Sequence, residues 1–490
     1  MGQSKQYREN IYDLIKYKMI KFKFEDIEIP ESNPFQNCQL GRQEYATILE
    51  NIVAYGKDGY VMSLDGAWGS GKTTFAKMWQ QQLKNNGFMT IYFNAWEHDY
   101  MVDPLVALIG ELHKISTNDK LQMSFAKVVA NAGKIFSGIL PSIGKTIAKK
   151  YVGEEAVDII KDTLSETKKL FQHELDKYKE ECDSIETFRL SLANFATDLA
   201  PEKPLVFIVD ELDRCNPTFA VKVLERIKHL FAIPHIVFVL AIDKEQLCNS
   251  ICGFYGSDSI NAAEYLRRFI DVEYYLPAPD YETFFDYIYN KLGLDDFFMK
   301  ITCSNGYDTR SYQHALKSFP LKLLASKKLS LRQVEKFMLH MRLALQTIPV
   351  NYEPYPALIA FLTYLRQYER PLYSDIQSRS ITIQQLVDKL ESIIPEELFS
   401  PRDKYDTTTE HSTVYVVAQM LVAYASDYRG IEWTDLLKET NEGKKQLTFE
   451  THLPKDDLEE VIAHYSSRNY IVNLEYVVRH IELLCNLQNE

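Results

Sequence analysis

The sequence predicts an α/β fold, a parallel sheet covered on both faces in three layers, with a helical insertion and a C-terminal helical domain. Three observations predict it. Five short apolar runs, Tyr60–Leu64, Phe88–Phe93, Leu205–Val209, His235–Ala241 and Ile270–Leu276, lack polar alternation, as strands buried on both faces do. Segments of helical length, such as Phe219–Phe231, fall between runs, the rhythm of parallel crossovers. The first run ends in a glycine-rich turn, and a helix is expected from Lys72 to about Asn85.

A chain of 490 residues is too long for one hydrophobic core and implies two or three domains. Its 46% apolar and 25% charged residues are ordinary for a globular protein. The net charge of −13 argues against nucleic-acid binding across the whole surface, though a local basic patch stays open. Seven scattered cysteines form no disulfide framework, and the odd count fits a reducing cytosol, so a cytoplasmic location is expected. Cys248 and Cys252 stand one helical turn apart with no second pair at zinc spacing, so they read as ordinary cysteines. The first residues, MGQSKQYRENIYDL, carry no apolar region of a secretory signal, and no run of about 18 apolar residues suggests a membrane span.

Residues 1–40 read as an N-terminal arm and 41–280 as the α/β core, beginning with a helix at Gln43–Tyr55. About 110 residues separate the second strand from the third, far more than a crossover needs, so a helical insertion occupies about 100–200. From Lys120 to Gly153 there is no acidic residue, while Lys127, Lys134, Lys145, Lys149 and Lys150 are present and Gly133, Gly138, Pro141 and Gly144 interrupt the run. Residues 120–150 read as a helical hairpin packed on the core or a subunit neighbour, with contact to an anionic membrane surface as the alternative. Residues 281–349 read as a helical, lid-like region containing a helix at Leu329–Leu345, and 350–490 as a separate helical domain. No strong strand signal follows residue 280.

The turn after the first strand, Gly66-Ala67-Trp68-Gly69-Ser70-Gly71-Lys72-Thr73, fits G-x-x-x-x-G-K-T and is followed by Thr74. Glycines let backbone N–H groups wrap phosphates, and the helix that follows points its positive end at them. Lys72 supplies a cation to the β- and γ-phosphates, and Thr73 offers a hydroxyl to Mg²⁺. The third strand delivers Asp210-Glu211: Asp210 to hold the ion through water, Glu211 to polarise the attacking water. No guanine-reading N-K-x-D is present, so ATP is the expected nucleotide.

Other candidates surround this pair. Asp243, after the fourth strand, either senses the γ-phosphate or caps the helix that follows. Asn94, after the second strand, is placed to position water or phosphate; Trp96 reads as a core residue and Glu97 as a second acid. Gly41 and Arg42 precede the first helix and are candidates to approach the base. Arg267 or Arg268 could reach a neighbouring subunit as a finger, and Arg332 the nucleotide of its own subunit; a surface ion pair is the alternative for each.

The stretches GAWGSGKTT (66–74), YFNAWEHD (92–99), FIVDELDRC (207–215), VFVLAIDKEQL (237–247) and YLRRFIDVEYYLP (265–277) together resemble the KAP family of P-loop NTPases. Asn-Ala-Trp after the second strand and Asp-Arg-Cys after the acidic pair are the distinguishing parts, and the resemblance covers roughly 35–345. It implies a three-layer ATPase core of the additional-strand type. Many members carry membrane helices between phosphate loop and acidic strand, where the lysines and glycines of 120–150 make a poor span. Bacterial members are associated with phage exclusion and defence.

The resulting expectation is an Mg²⁺-dependent ATP hydrolase, a homo-oligomer, acting as a switch or machine on a partner effector in anti-phage defence. The alternatives are a nucleic-acid-stimulated ATPase that senses or translocates, and a peripheral membrane scaffold with ATP as its switch.

Overall fold

Two of the strands carry no exposed side chain at all. Leu205–Asp210 is buried at all six positions and Ile236–Ile242 at all seven, which requires neighbours on both edges and helices on both faces. The computed structural model describes residues 27–139, 170–230, 233–305, 309–399, 413–428, 433–439, 445–467 and 473–483, except 102, 258, 279, 350, 351 and 353. They divide into two compact units that meet in sequence at Ala278.

The first unit runs α1 (Gln43–Ala54), β1 (Tyr60–Asp65), α2 (Lys72–Asn85), β2 (Thr90–Asn94), α3 (Pro104–Ile115), α4 (Asp119–Ile139), α5 (Leu170–Leu199), β3 (Leu205–Asp210), α6 (Pro217–Leu230), β4 (Ile236–Ile242), α7 (Lys244–Tyr255), α8 (Ala262–Leu266) and β5 (Val272–Tyr275). The strands form one parallel sheet in the order β2-β3-β4-β1-β5. Asn94 stands opposite Asp210, Asp210 opposite Ala241, and Asp65 opposite Ile242, so the carboxyl ends of four strands share one edge.

Alternate residues build the two cores. Phe207 and Val209 of β3 join Phe238 and Leu240 of β4 under α3 to α7, while Val206 and Ile208 join Val237 and Val239 under α1 and α2. That is the predicted three-layer arrangement. The second strand begins two residues later than its apolar run. Gly87 adopts φ 80°, and the Phe88 N–H closes α2 on the Leu83 carbonyl instead of entering the ladder.

In the insertion, α4 and α5 lie side by side. The rings of Phe125 and Phe195 are 6.0 Å apart, Ser124 donates to Asp198 at 2.6 Å, and Lys120 pairs with Asp198 at 2.8 Å. Gly133 and Gly138 do not interrupt α4, which continues to Ile139. The rest of the 120–150 segment lies outside the described residues. Among the described residues no helix is long and apolar enough to cross a membrane.

The second unit contains α9 (Tyr281–Lys291), α10 (Leu294–Asn305), α11 (Arg310–Ser326), α12 (Leu331–Gln346), α13 (Pro356–Tyr368), α14 (Arg370–Gln377), α15 (Ile383–Ile393), α16 (Thr413–Ala423), α17 (Lys455–Ser467) and α18 (Leu474–Ile481). A capping box of Ser330 and Gln333 starts α12. Beyond 280, where the sequence carries no strong strand signal, Leu437–Glu439 and Lys445–Leu447 pair as an antiparallel ribbon. Each is three residues long and mostly exposed, so no apolar run announces it.

Candidate active site

The loop after β1 is built by its glycines. The Gly66 N–H donates to the Ile242 carbonyl at 3.1 Å, seating the loop against the end of β4. A Cβ on Gly66 would stand 3.1 Å from Ser70 Oγ and 3.3 Å from Lys72 Cγ. Gly69 and Gly71 have φ of 76° and 85°, a left-handed conformation that side chains resist, and Gly71 opens α2. Lys72, in the first turn, is buried. Its ammonium donates to the carbonyls of Gly66 and, at 3.2 Å, Ala67. Burial lowers its pKa, while Asp213, Asp243, Asp210 and Asp65 act in the opposite direction. Thr73 and Thr74 follow, half-buried.

Trp68 ties the loop to two other elements. Its backbone N–H donates to Asp243 Oδ2 at 2.9 Å, and its indole N–H donates to Asp213 Oδ2. Asp243 also accepts from the Gln246 N–H at 3.2 Å as the N-cap of α7. Asp243 is therefore a helix cap that also holds the phosphate loop. Asp213 is buried, and desolvation raises its pKa against the pull of Trp68 and Lys72.

Asp210 ends β3 fully buried. Oδ2 accepts from the Tyr92 hydroxyl at 2.6 Å and Oδ1 from the Glu211 N–H at 2.8 Å. Desolvation, then the Asp210 charge, push the Tyr92 hydroxyl pKa well up, so Tyr92 is a permanent donor. Glu211 turns the chain with φ 61° and ψ 23°. Its Oε1 accepts from Arg214 Nη1 at 2.6 Å, and the guanidinium lies 5.9 Å from the centre of the Trp96 ring.

The other candidates fall in different places. Asn94 is beside Asp210 in the sheet, but its amide serves its own turn: Nδ2 donates to Glu97 at 2.9 Å and Oδ1 accepts from the Trp96 N–H at 3.1 Å. Trp96, expected in the core, is 52% exposed, because the turn after β2 carries its ring outward. Gly41 has φ 61° with open space where a Cβ would stand. Buried Arg42 points Nη2 at the Pro277 carbonyl, 3.4 Å away, next to Leu276, whose N–H bonds the Asp65 carbonyl.

Arg267 and Arg268 are exposed and precede β5; Arg267 pairs with Glu264. Asp271, a few residues after them, binds Val61 at the start of β1, the end of that strand opposite the loop. Arg332 is exposed on the first turn of α12, in the other unit. Sequence reasoning missed Tyr92, the loop-holding role of Asp213, and Arg214. The last two stand inside the quoted DELDRC stretch.

Phosphate-sized groups suit the loop. Its glycines expose backbone donors, Lys72 supplies positive charge, and Ser70 Oγ is buried without a hydrogen-bond partner among the described residues. Asp210 and Thr73 carry oxygen donors of the kind hard divalent cations take. β4 stands between the loop-bearing strand β1 and the acid-bearing strand β3, so the protein is a P-loop NTPase of the additional-strand class. Residues 42–344, more than half of the chain, match the KAP family P-loop domain, and the chain belongs to that family. No curated protein matches it. Among solved structures, the Aeropyrum pernix ORC2 protein in ADPNP–ADP complexes aligns at 12% identity and TM-score 0.30, over 96% of this chain and 98% of that one.

Proposed function

We propose that this protein is an Mg²⁺-dependent ATPase that oligomerises and switches a partner effector, in the cytoplasm and in defence against phage. One observation carries the ATPase reading: the loop of β1 and the Asp210-Glu211 pair of β3 share one sheet edge, separated by β4. The loop N–H groups and Lys72 would hold the β- and γ-phosphates, with Lys72 leaving the loop carbonyls for them. Thr73 and Asp210 would hold the ion, Asp210 through water. When bound, Mg²⁺ offsets the charge on the phosphate oxygens. Glu211 would take the proton of the attacking water as its oxygen bonds the γ-phosphorus and the bridging P–O bond breaks toward ADP.

Oligomerisation rests on Arg267 and Arg268, which are exposed and lead into β5 beside the start of β1, where a neighbouring subunit could meet them. The defence role is an analogy with family members. Lysine charge at the start of the insertion is partly offset, since Lys120 pairs with Asp198 and Lys127 acts on the same carboxylate, which favours this reading over a nucleic-acid-stimulated ATPase.

The test is ATP turnover and particle mass for the wild type and for Glu211→Gln, with and without Mg²⁺-ATP. Expected are wild-type hydrolysis, an Mg²⁺-ATP-dependent rise in mass, and a variant that keeps ATP bound and larger particles. Equal hydrolysis by both proteins would remove Glu211 as the base, and a monomer throughout would remove the oligomer.

A further inference from the structure

The two stretches that distinguish the family by sequence, Asn-Ala-Trp and Asp-Arg-Cys, touch each other in space. Arg214, on the turn Leu212–Arg214 after β3, lies between the Glu211 carboxylate and the face of Trp96, on the turn after β2. We propose that Arg214 is a positioning residue for ATP hydrolysis: it fixes the Glu211 carboxylate through Oε1 and leaves Oε2 to face the attacking water, with Trp96 as its backstop.

The geometry supports each part. Glu211 has a left-handed backbone, unusual for a side chain with a Cβ, and the Arg214 N–H donates back to the Glu211 carbonyl at 3.1 Å, closing a tight turn. A long carboxylate on such a turn would rotate freely without a partner. Arg214 removes that freedom with a 2.6 Å charge-assisted hydrogen bond, while Oε2 accepts none from the described residues. The pair is largely withdrawn from water, with 11% of the Glu211 side chain and 24% of the Arg214 side chain exposed. Lying over the Trp96 ring at 5.9 Å, the guanidinium cannot swing out without losing that cation–π contact. Asn94 holds the turn bearing Trp96 through its bond to the Trp96 N–H, which gives that asparagine a structural task at the same edge.

The proposal rests on Glu211 being the base, so the experiment separates the two. Turnover and ATP affinity are measured on the full chain for wild type, Glu211→Gln, Arg214→Ala and Arg214→Lys. The emission of Trp96, taken as wild type minus Trp96→Phe and by the same subtraction in each variant, is recorded without nucleotide. In Arg214→Ala, kcat should fall about 100-fold with KM changed less than about threefold, as loss of orientation without loss of binding requires. Arg214→Lys should recover roughly tenfold, since it keeps the charge but not the planar fork. Trp96 emission should shift in Arg214→Ala, which removes the guanidinium, and less so in Glu211→Gln, which takes the charge from its partner, before ATP is added.

Unchanged kcat in Arg214→Ala, with Glu211→Gln inactive, would overturn the positioning role and leave Glu211 as the base. Equal losses of ATP affinity and kcat would overturn it too, in favour of a structural role. If Glu211→Gln turns over like wild type, the base assignment itself fails, and this proposal with it. Should Arg214→Ala not fold, Arg214→Gln, which keeps a donor without the charge, carries the same expectations.

Discussion

The indole N–H of Trp68 binds the Asp213 carboxylate across 145 residues of sequence. It joins the phosphate loop of β1 to the acidic turn of β3, and the backbone N–H of the same tryptophan joins it to Asp243 after β4. One residue therefore sets the spacing between the two halves of the site.

Trp68→Phe keeps most of the ring and removes one donor from a buried carboxylate. It should lower stability at neutral pH by about 1–2 kcal/mol, read as the urea midpoint. Asp213 also implies a pH dependence. Desolvation raises its folded pKa above the usual 3.8, so this group's contribution is fully present below that value and is lost as pH rises through the raised one. Asp213→Asn should remove that decline. Stability curves of the two proteins that stay parallel above pH 3.8 would contradict it.

Lys72→Ala should weaken ATP binding by roughly 10- to 100-fold, the worth of a charge-assisted bond of about 1.5–3 kcal/mol, with little change in the unfolding midpoint. Calorimetric titration with Mg²⁺-ATP measures it.

Asp103 starts α3 as its N-cap, accepting from the Leu105 N–H at 2.9 Å, and holds Arg226 by three contacts at 2.7, 3.2 and 3.4 Å. Asp103→Ala removes the cap and strands a mostly covered guanidinium, at a cost of about 2–4 kcal/mol. Asp103→Asn keeps the cap and should cost about half as much. Equal midpoints in denaturant for the two variants would mean that the cap contributes nothing, and a wild-type midpoint for Asp103→Asn would mean the same of the ion pair.

Two glycines with positive φ should respond differently to alanine. A Cβ on Gly59 would stand 2.0 Å from the Ile233 carbonyl oxygen, so the backbone must move; one on Gly87 meets nothing within 4 Å. Gly87→Ala should cost about 1 kcal/mol in conformational strain, and Gly59→Ala well beyond that. Thermal unfolding of both orders them.

The sheet was legible because its central strands are buried on both faces and so carry no polar punctuation. The loop and the acidic pair were legible because phosphate and metal chemistry demand those residue types at the ends of strands. What escaped reading depends on contacts distant in sequence or on backbone shape. Trp96 is apolar by type and reads as core, yet its ring is outside, facing Arg214. The clasp on Glu211 depends on a left-handed turn that glutamate does not signal. Phe88 extends an apolar run but spends its N–H on α2. The ribbon at 437–447 has almost no buried side chain to mark it.

The complete burial of β3 and β4 also sets clocks. Their amides, paired in the middle of the sheet, exchange with solvent only when the whole unit opens, so Asp210 stands on the slowest-opening part of the protein. The phosphate loop, held by isolated bonds at Gly66 and Ser70, by the two of Trp68 and by the Lys72 ammonium, has no ladder around it and opens locally and far more often. The chain thus keeps its acid permanent and its loop renewable, and a bound nucleotide would slow both clocks, the first because binding the folded state also holds it against opening of the whole unit.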